Sequence, residues 1–466
     1  MAKQDLVIIG GGPGGYVGAI RASRLGLSVT LVERERQLGG TCLLRGCIPT
    51  KALLHSADLL QEMRGADAHG IRAEGITVDF PGIMRNKKKV VDRSAAGVRY
   101  LMKKNGVEVV NGTARIDGPG SVSVSLPDQE EVCLEAREVL IATGSVPRGV
   151  PGIEPDGRHI LTSNEMLELK EIPPSLLVLG GGAVGVEFAS VFSRLGSVVT
   201  IVELLPRLLP FEDEEISDAF AKALGKRGIR TYCGTRMGRV TATEDGVVCA
   251  VEDGDGGTKN LSASMLLSAV GRAPFTEGLG AVKAGVCLDD RGFVKVDDHY
   301  RTTVPGIRAI GDVIDTPALA HVASAEAIAA VEHIAGAETH PVDYATTPSC
   351  TYADPEVASV GLTEAAARDA GHEVSVGRFP FSASGKARIL GATDGFVKIV
   401  AGKPHGEVLG VHIMGPHATE LIAEAGILLR TECTAEEIVR TMHPHPTLSE
   451  AIQEAAHGVD GNPLHI

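Results

Sequence analysis

The sequence predicts an α/β chain built from two copies of one strand–turn–helix–strand unit, with an α+β segment at its C-terminal end. Three observations carry that expectation. A glycine-rich turn follows a short apolar run twice, as Gly10-x-Gly12-x-x-Gly15 and as Gly180-x-Gly182-x-x-Gly185. Each turn opens a helical stretch with an alanine four residues beyond the last glycine, Ala19 and Ala189. Each unit closes on a second apolar run and an acid, Glu33 or Glu203, 23 residues after the first glycine.

In the first copy, residues 5–10 read as a buried parallel strand, a helix runs through Leu25, and residues 28–32 form the next strand. In the second, residues 176–179 are the strand, the helix runs through Leu195, and residues 198–202 lead to Glu203. Continuous apolar runs of this length suit strands covered on both faces. One such turn is weak evidence, but two in the same register with strand, helix and acid are specific. The glycines let backbone approach a pyrophosphate at the helix N-terminus, and the acid can accept hydrogen bonds from a ribose diol. Two Rossmann-like dinucleotide-binding domains are therefore expected. A carboxylate at Glu203 would repel a 2′-phosphate, and Arg207 is the only cation close behind it, which favours NAD over NADP. Beyond residue 343, strands at 357–360, 397–400 and 408–413 and a helix at 420–429 read as a separate α+β domain.

A length of 466 residues suits two to four domains, and 57 glycines fit many tight strand-to-helix turns. The formal charge of −14 offers no basic footprint for nucleic acid. No apolar run is long enough to span a bilayer, and the first residues lead straight into a strand rather than a signal peptide. A cytoplasmic, reducing location is expected. Of eight cysteines, those at 133, 233, 249, 287, 350 and 433 stand alone and read as small buried apolar residues.

Cys42 and Cys47 differ, being five residues apart within the stretch from Gly39 to Lys51, shortly after the first glycine turn. A regular helix would separate them by about 7.5 Å along its axis, beyond disulfide reach. A bonded pair therefore requires a departure from the helix, which Gly46 permits. Pro49 suits the first turn of a helix that continues through Lys51 to Leu54. Helix N-terminal character, Arg45 and Lys51 would lower a thiol pKa here. Redox chemistry, a metal site and two inert cysteines all remain open from the pair alone, although a metal would want further ligands that do not lie nearby in sequence. Two nucleotide units beside a cysteine pair suggest an electron relay, with a resident flavin in the first half and a diffusible nicotinamide in the second.

The stretch from Gly39 to Lys51 resembles the redox-disulfide motif of the pyridine nucleotide–disulfide oxidoreductases. The resemblance extends along the chain. Ala142-Thr143-Gly144 and Gly271-Arg272-Ala273-Pro274 resemble the family's two chain crossovers. Ala309-Ile310-Gly311-Asp312-Val313 resembles its second flavin motif, Leu319-Ala320-His321 the following flavin contact, and the stretch from His443 to Glu450 the C-terminal active-site signature. The resemblance implies a domain order of FAD-binding (1–146), NAD-binding (147–274), a central segment completing the FAD site (275–342) and a dimerisation domain (343–466). It implies FAD contacts from Gly10, Gly12, Gly15, Glu33, Gly40, Thr41, Lys51, Ala114, Thr143, Gly144, Ser145, Asp312, Ala318, Leu319, Ala320 and His321. NAD contacts are implied for Gly180, Gly182, Gly185, Glu187, Glu203 and Gly271, with Lys51 and Glu187 paired near the flavin. Cys42 is implied as the sulfur facing substrate, Cys47 as the one facing flavin, and His445 as the base, oriented by Glu450 and acting on the disulfide of the other subunit of a homodimer. His443 is expected to be structural.

Among the family's branches, the resemblance points to oxidation of protein-bound dihydrolipoyl groups. The partner would be a lipoyl-bearing acyltransferase of a 2-oxoacid dehydrogenase or a glycine-cleavage carrier protein, and the enzyme a homodimer. A glutathione reductase would carry a cationic cluster where Glu203 stands, and a mercuric reductase a C-terminal cysteine pair, yet the last cysteine is Cys433. One departure stands inside the motif: the family's usual Leu-Asn-Val-Gly between the cysteines is here Leu43-Leu44-Arg45-Gly46.

Overall fold

The computed structural model describes residues 3–466. The chain forms two compact units, the first comprising the residues up to Leu53, Pro81–Arg148 and Gly271–Val342. Its central sheet places the strand Gln4–Ile9 between Val29–Glu33 and Glu131–Ile141, all parallel, with Glu108–Asn111 outside Val29–Glu33. Ile307–Ala309 pairs in parallel with the second half of Glu131–Ile141, whose first half instead joins an antiparallel ribbon with Ser121–Ser125 and Thr113–Gly118. Leu6, Val7 and Ile8 are fully buried, as the unbroken apolar run requires. The helix Pro13–Arg24 lies against Ala320–Ala335, and small residues let them approach. A Cβ at Gly18 would already touch that of Ala327, at 3.4 Å.

The second unit contains Leu54–Phe80, Gly149–Val270 and Asp343–Ile466. Its parallel sheet runs Arg230–Tyr232, Val198–Val202, Ser175–Leu179, Met265–Ser268, Ile160–Leu161. Three antiparallel strands, Arg236–Ala242, Val247–Glu252 and Thr258–Ala263, follow one another as hairpins. The C-terminal sheet is antiparallel, in the order Ser349–Thr351, Glu356–Gly361, Val408–Gly415, Phe396–Gly402, Val374–Pro380. The three strands expected there are its central ones. The helix Ala418–Arg430 fits the expected 420–429, and Glu450–Val459 packs so closely on Val374–Pro380 that a Cβ at Gly377 would lie 1.9 Å from the Ala455 carbonyl oxygen.

The two crossovers meet as a short antiparallel ribbon, Ser145–Pro147 with Arg272–Pro274. Thr143 Oγ1 donates to the Phe275 carbonyl at 2.6 Å, and the Phe275 N–H returns to Gly144 at 2.9 Å. One expectation fails: of the six lone cysteines only Cys249 is buried, and Cys133 and Cys287 are exposed. Cys133 falls on the outward face of the ribbon half of its strand, and Cys287 lies in a loop beside Thr303. Among the described residues no helix is long and apolar enough to cross a membrane.

Candidate active site

The first glycine turn is shaped by backbone packed against backbone. Gly10 leaves its strand at φ +110°, and a Cβ there would lie 2.3 Å from the Ala142 carbonyl oxygen. A Cβ at Gly15 would lie 1.7 Å from the Gly10 carbonyl oxygen, so neither position accepts a side chain. Gly12 caps the helix Pro13–Arg24 without a side-chain hydrogen bond, which leaves the first-turn N–H groups for an anion. Glu33 is buried at the strand end, where its Oε2 accepts from the Gly11 N–H at 2.7 Å and its Oε1 from the Glu35 N–H at 2.8 Å. Each oxygen keeps a lone pair for a ribose hydroxyl. These features fit the adenosine and pyrophosphate portions of a dinucleotide.

The second turn repeats the first nearly atom for atom. A Cβ at Gly180 would lie 2.4 Å from the Ala269 carbonyl oxygen, and one at Gly185 would lie 2.0 Å from that of Gly180. Gly182 caps the helix Ala183–Leu195, again without a side-chain bond. Glu203 accepts from the Gly181 N–H at 2.5 Å and the Leu205 N–H at 2.7 Å. The salt bridge of Arg207 is to Glu214. Arg207 is the one arginine in the segment 204–213 that follows Glu203. Gly271, at φ +100°, follows this half and accepts from the Arg148 N–H.

Cys42 lies in the short helix Gly40–Arg45, and Cys47 opens the helix Cys47–Arg64. The break expected between them falls at Gly46, where a Cβ would crowd the Thr41 carbonyl oxygen at 3.0 Å. Gly40, at φ +57°, seats the cysteine helix on the first turn: its Cβ would lie 2.6 Å from the Gly12 Cα. The two cysteine side chains are in hydrogen-bonding contact with each other. That contact, then burial, then the neighbouring sulfur's charge push the Cys42 thiol strongly upward, while Lys51 opposes the rise. The expectation of a lowered thiol pKa is therefore wrong for Cys42. Two sulfurs in contact resist ionising together, so the reduced pair carries at most one thiolate. Arg45 is turned away to Glu35 at 2.9 Å, where both side chains are partly exposed.

Asp312 accepts from Ser145 Oγ at 2.5 Å, and Arg272 Nε in turn donates to that hydroxyl at 2.6 Å. Arg272 Nη2 reaches Thr41 Oγ1 at 3.5 Å, so Thr41, Ser145, Arg272 and Asp312 form one polar group beside the cysteine helix. The Gly311 N–H donates to buried Glu326 at 2.6 Å. Ala318 and Leu319 precede the helix Ala320–Ala335, whose N-cap Leu319 offers no side-chain bond, and His321 lies in its first turn. Ala114 is buried on Thr113–Gly118 opposite Val124. Arg272 and Glu326 carried no expected role. The signal for Glu326 was a carboxylate set among alanines, Ala323 to Ala330.

Glu187, in the second unit, is buried on the helix Ala183–Leu195, and its Oε1 accepts from the Tyr352 N–H at 3.0 Å. Lys51 lies one turn after Cys47 in the first unit. His445 Nδ1 is 2.9 Å from Glu450 Oε1, while Glu450 Oε2 accepts from the Thr447 N–H at 2.8 Å. The His445 side chain is 79% exposed, so its Nε2 is open to an incoming group. Burial raises the Glu450 carboxyl, but the Thr447 N–H and His445 outweigh it and hold the carboxyl below its ordinary range. His443 is buried and bound at both nitrogens, to Glu424 and to the Thr441 carbonyl, each at 2.9 Å, as a structural residue would be. No group of three or more potential metal ligands occurs among the described residues.

Residues 4–327 match the family model of the pyridine nucleotide-disulphide oxidoreductases, and residues 347–456 match that family's dimerisation domain. The chain belongs to this family. It is 46% identical to the dihydrolipoyl dehydrogenase of Bacillus subtilis, with 99% of each chain covered. It is also 46% identical to that of Chlorobaculum tepidum, covering 98% of this chain and 97% of the relative. Among solved structures, LpdA of Mycobacterium tuberculosis superposes with a TM-score of 0.90 at 29% identity, covering 97% of this chain and 99% of its own.

Proposed function

We propose that the protein is a FAD-dependent dihydrolipoyl dehydrogenase, which oxidises dihydrolipoyl groups and reduces NAD⁺. The observation that carries this reading is the thiol pair seated directly on one of two dinucleotide turns, in a chain so similar to dihydrolipoyl dehydrogenases over its full length. FAD would be held by the first turn, Glu33, the polar group around Asp312 and the helix N-terminus at 318–321. NAD⁺ would be held by the second turn, Glu203 and Glu187. Bound FAD would supply the couple that turns the dithiol's two electrons into a transferable hydride, and NAD⁺ the hydride acceptor.

The thiol chemistry belongs to the chain's own residues. With Nδ1–H donating to Glu450, His445 presents its Nε2 lone pair as a base, and the carboxylate stabilises the imidazolium that forms. In the proposed homodimer, His445 takes a proton from one substrate thiol, and the resulting thiolate attacks Cys42 of the partner subunit, in its oxidised pair. A substrate–Cys42 bond forms, the Cys42–Cys47 bond breaks, and the electron pair passes to Cys47 as thiolate. The second substrate thiol loses its proton to solvent and displaces Cys42, which takes up the proton held by His445. The lipoyl disulfide leaves, and the protein keeps one thiol and one thiolate. The raised pKa of Cys42 suits it to hold the proton.

The matched dimerisation domain supports a homodimer. A lipoyl-bearing acyltransferase or glycine-cleavage carrier protein would be the partner, and the cytoplasm the location. The test is anaerobic turnover of dihydrolipoamide with NAD⁺ or NADP⁺, alongside Cys47→Ser. Dithiol-dependent NADH formation that Cys47→Ser abolishes supports the reading. Failure of the wild-type enzyme to reduce either nucleotide would sink it.

A further inference from the structure

The loop that follows Glu203 is fixed at both ends, and its far end is anchored in the C-terminal sheet. At its near end the Leu205 N–H holds Glu203. Midway, the Leu209 N–H donates to the Gly181 carbonyl at 2.9 Å and closes the second glycine turn. Leu209 does this at φ +46°, a left-handed conformation that is strained for a non-glycine residue and persists only where the surroundings enforce it. The enforcing contacts lie just beyond. The Glu212 N–H and the Ser217 hydroxyl both donate to the Leu209 carbonyl, at 2.9 and 3.1 Å. Asp213 caps the helix Glu214–Lys226, and its two carboxylate oxygens take Lys398 Nζ at 2.9 and 3.0 Å. Lys398 is 1% exposed on the strand Phe396–Gly402, and Asp213 is 2% exposed.

The geometry points to Lys398 as a positioning residue for the nicotinamide nucleotide: through Asp213 it holds loop 204–213 in the register that keeps Leu209 on the glycine turn and Leu205 on Glu203. The inference rests on the reading of the second turn as the NAD⁺ site. Lys398 itself touches neither the turn nor Glu203. It acts because a strained leucine occupies a place that glycine fills in the first turn.

The test uses the FAD-loaded enzyme and the double variant Lys398→Met/Asp213→Asn, which removes both buried charges while asparagine keeps the helix cap. Arg227→Gln serves as a control, because it breaks another ion pair of the same unit, to Asp354 and Asp394, without touching the loop. The readouts are KM and kcat for NAD⁺ and dithiol-driven reduction of ferricyanide, which bypasses the nicotinamide. The double variant is expected to raise KM for NAD⁺ by about fivefold or more, with its ferricyanide rate near wild type. Arg227→Gln should lower Tm and leave KM unchanged. An unchanged KM in the double variant, or an equal rise in Arg227→Gln, would overturn the inference. Wild-type enzyme that reduces ferricyanide but not NAD⁺ would overturn it together with the reading beneath it.

Discussion

The two glycine turns are the same device with different loops attached. Glu33 and Glu203 each bind the amide after the first glycine and the amide two residues beyond the acid. Leu38 and Leu208 each pack over the residue after the first glycine of their turn, Gly11 and Gly181. Then the copies part. The residue that closes the turn is Gly39 at φ +125° in the first and Leu209 at φ +46° in the second. After Gly39 comes Gly40, which brings the cysteine helix against Gly12. After Leu209 the chain runs to Asp213 and the C-terminal sheet. One duplicated cradle thus acquires a redox pair in one copy and a structural anchor in the other. The chemistry resides in the loop rather than in the fingerprint.

The largest break in that comparison should come from the proton chemistry, which neither turn supplies. His445→Gln is expected to lower kcat with dihydrolipoamide by about 10²–10⁴-fold, measured by NADH formation, with flavin content unchanged. Glu450→Gln should do less, by about 10–100-fold. Because the Glu450 carboxyl is held below its ordinary range, it stays a carboxylate on mild acidification, so wild-type activity there should not be limited by its protonation.

The anchor of the second copy is the next test. Burial raises the Asp213 carboxyl, but Lys398, His412 and the Glu364 N–H pull it below the ordinary carboxylate range. A carboxyl lowered on folding contributes its full stability above the unfolded pKa and loses it as pH falls through the folded one. Lys398→Met should therefore cost about 3–5 kcal/mol at neutral pH, because it strands a buried carboxylate. The deficit should shrink as pH falls, because the stranded carboxylate, left with burial alone, takes up a proton at higher pH than the Lys398-paired one does. Urea unfolding across pH measures both.

The smallest effect should be that of Arg45. Its partly exposed pair with Glu35 is worth about 0–1 kcal/mol. Arg45→Val should leave the alkylation rate of the reduced thiols within about twofold of wild type.

Both nucleotide units were legible because their chemistry is local: strand, turn, helix and acid recur at one spacing, and the observed elements begin and end within a residue or two of those expected. The break at Gly46 was legible for the same reason, since a helix cannot hold residues five apart in sulfur contact. The His445–Glu450 pair was legible through the resemblance of the stretch 443–450 to the family's C-terminal signature, since a five-residue interval in a loop does not by itself distinguish a base and its partner. The raised pKa of Cys42 was not legible, because it depends on how near Cys47 sits rather than on the sign of neighbouring charges. Arg272 on Ser145, and Lys398 on Asp213, join residues 127 and 185 apart. No periodicity encodes such pairs. The exposure of Cys133 follows from which face of an edge ribbon it occupies, which composition does not specify.

The most direct test of the division between the turns compares Gly15→Ala with Gly185→Ala, each of which forces a Cβ into a carbonyl oxygen. Both proteins would be purified in parallel and assayed for bound flavin, for ferricyanide reduction by dihydrolipoamide and for KM with NAD⁺. The account predicts that Gly15→Ala loses its flavin and both activities. Gly185→Ala should keep flavin and ferricyanide reduction and lose NAD⁺ turnover. Loss of flavin from Gly185→Ala, or an unchanged KM for NAD⁺ in that variant, would contradict the assignment of one nucleotide to each turn.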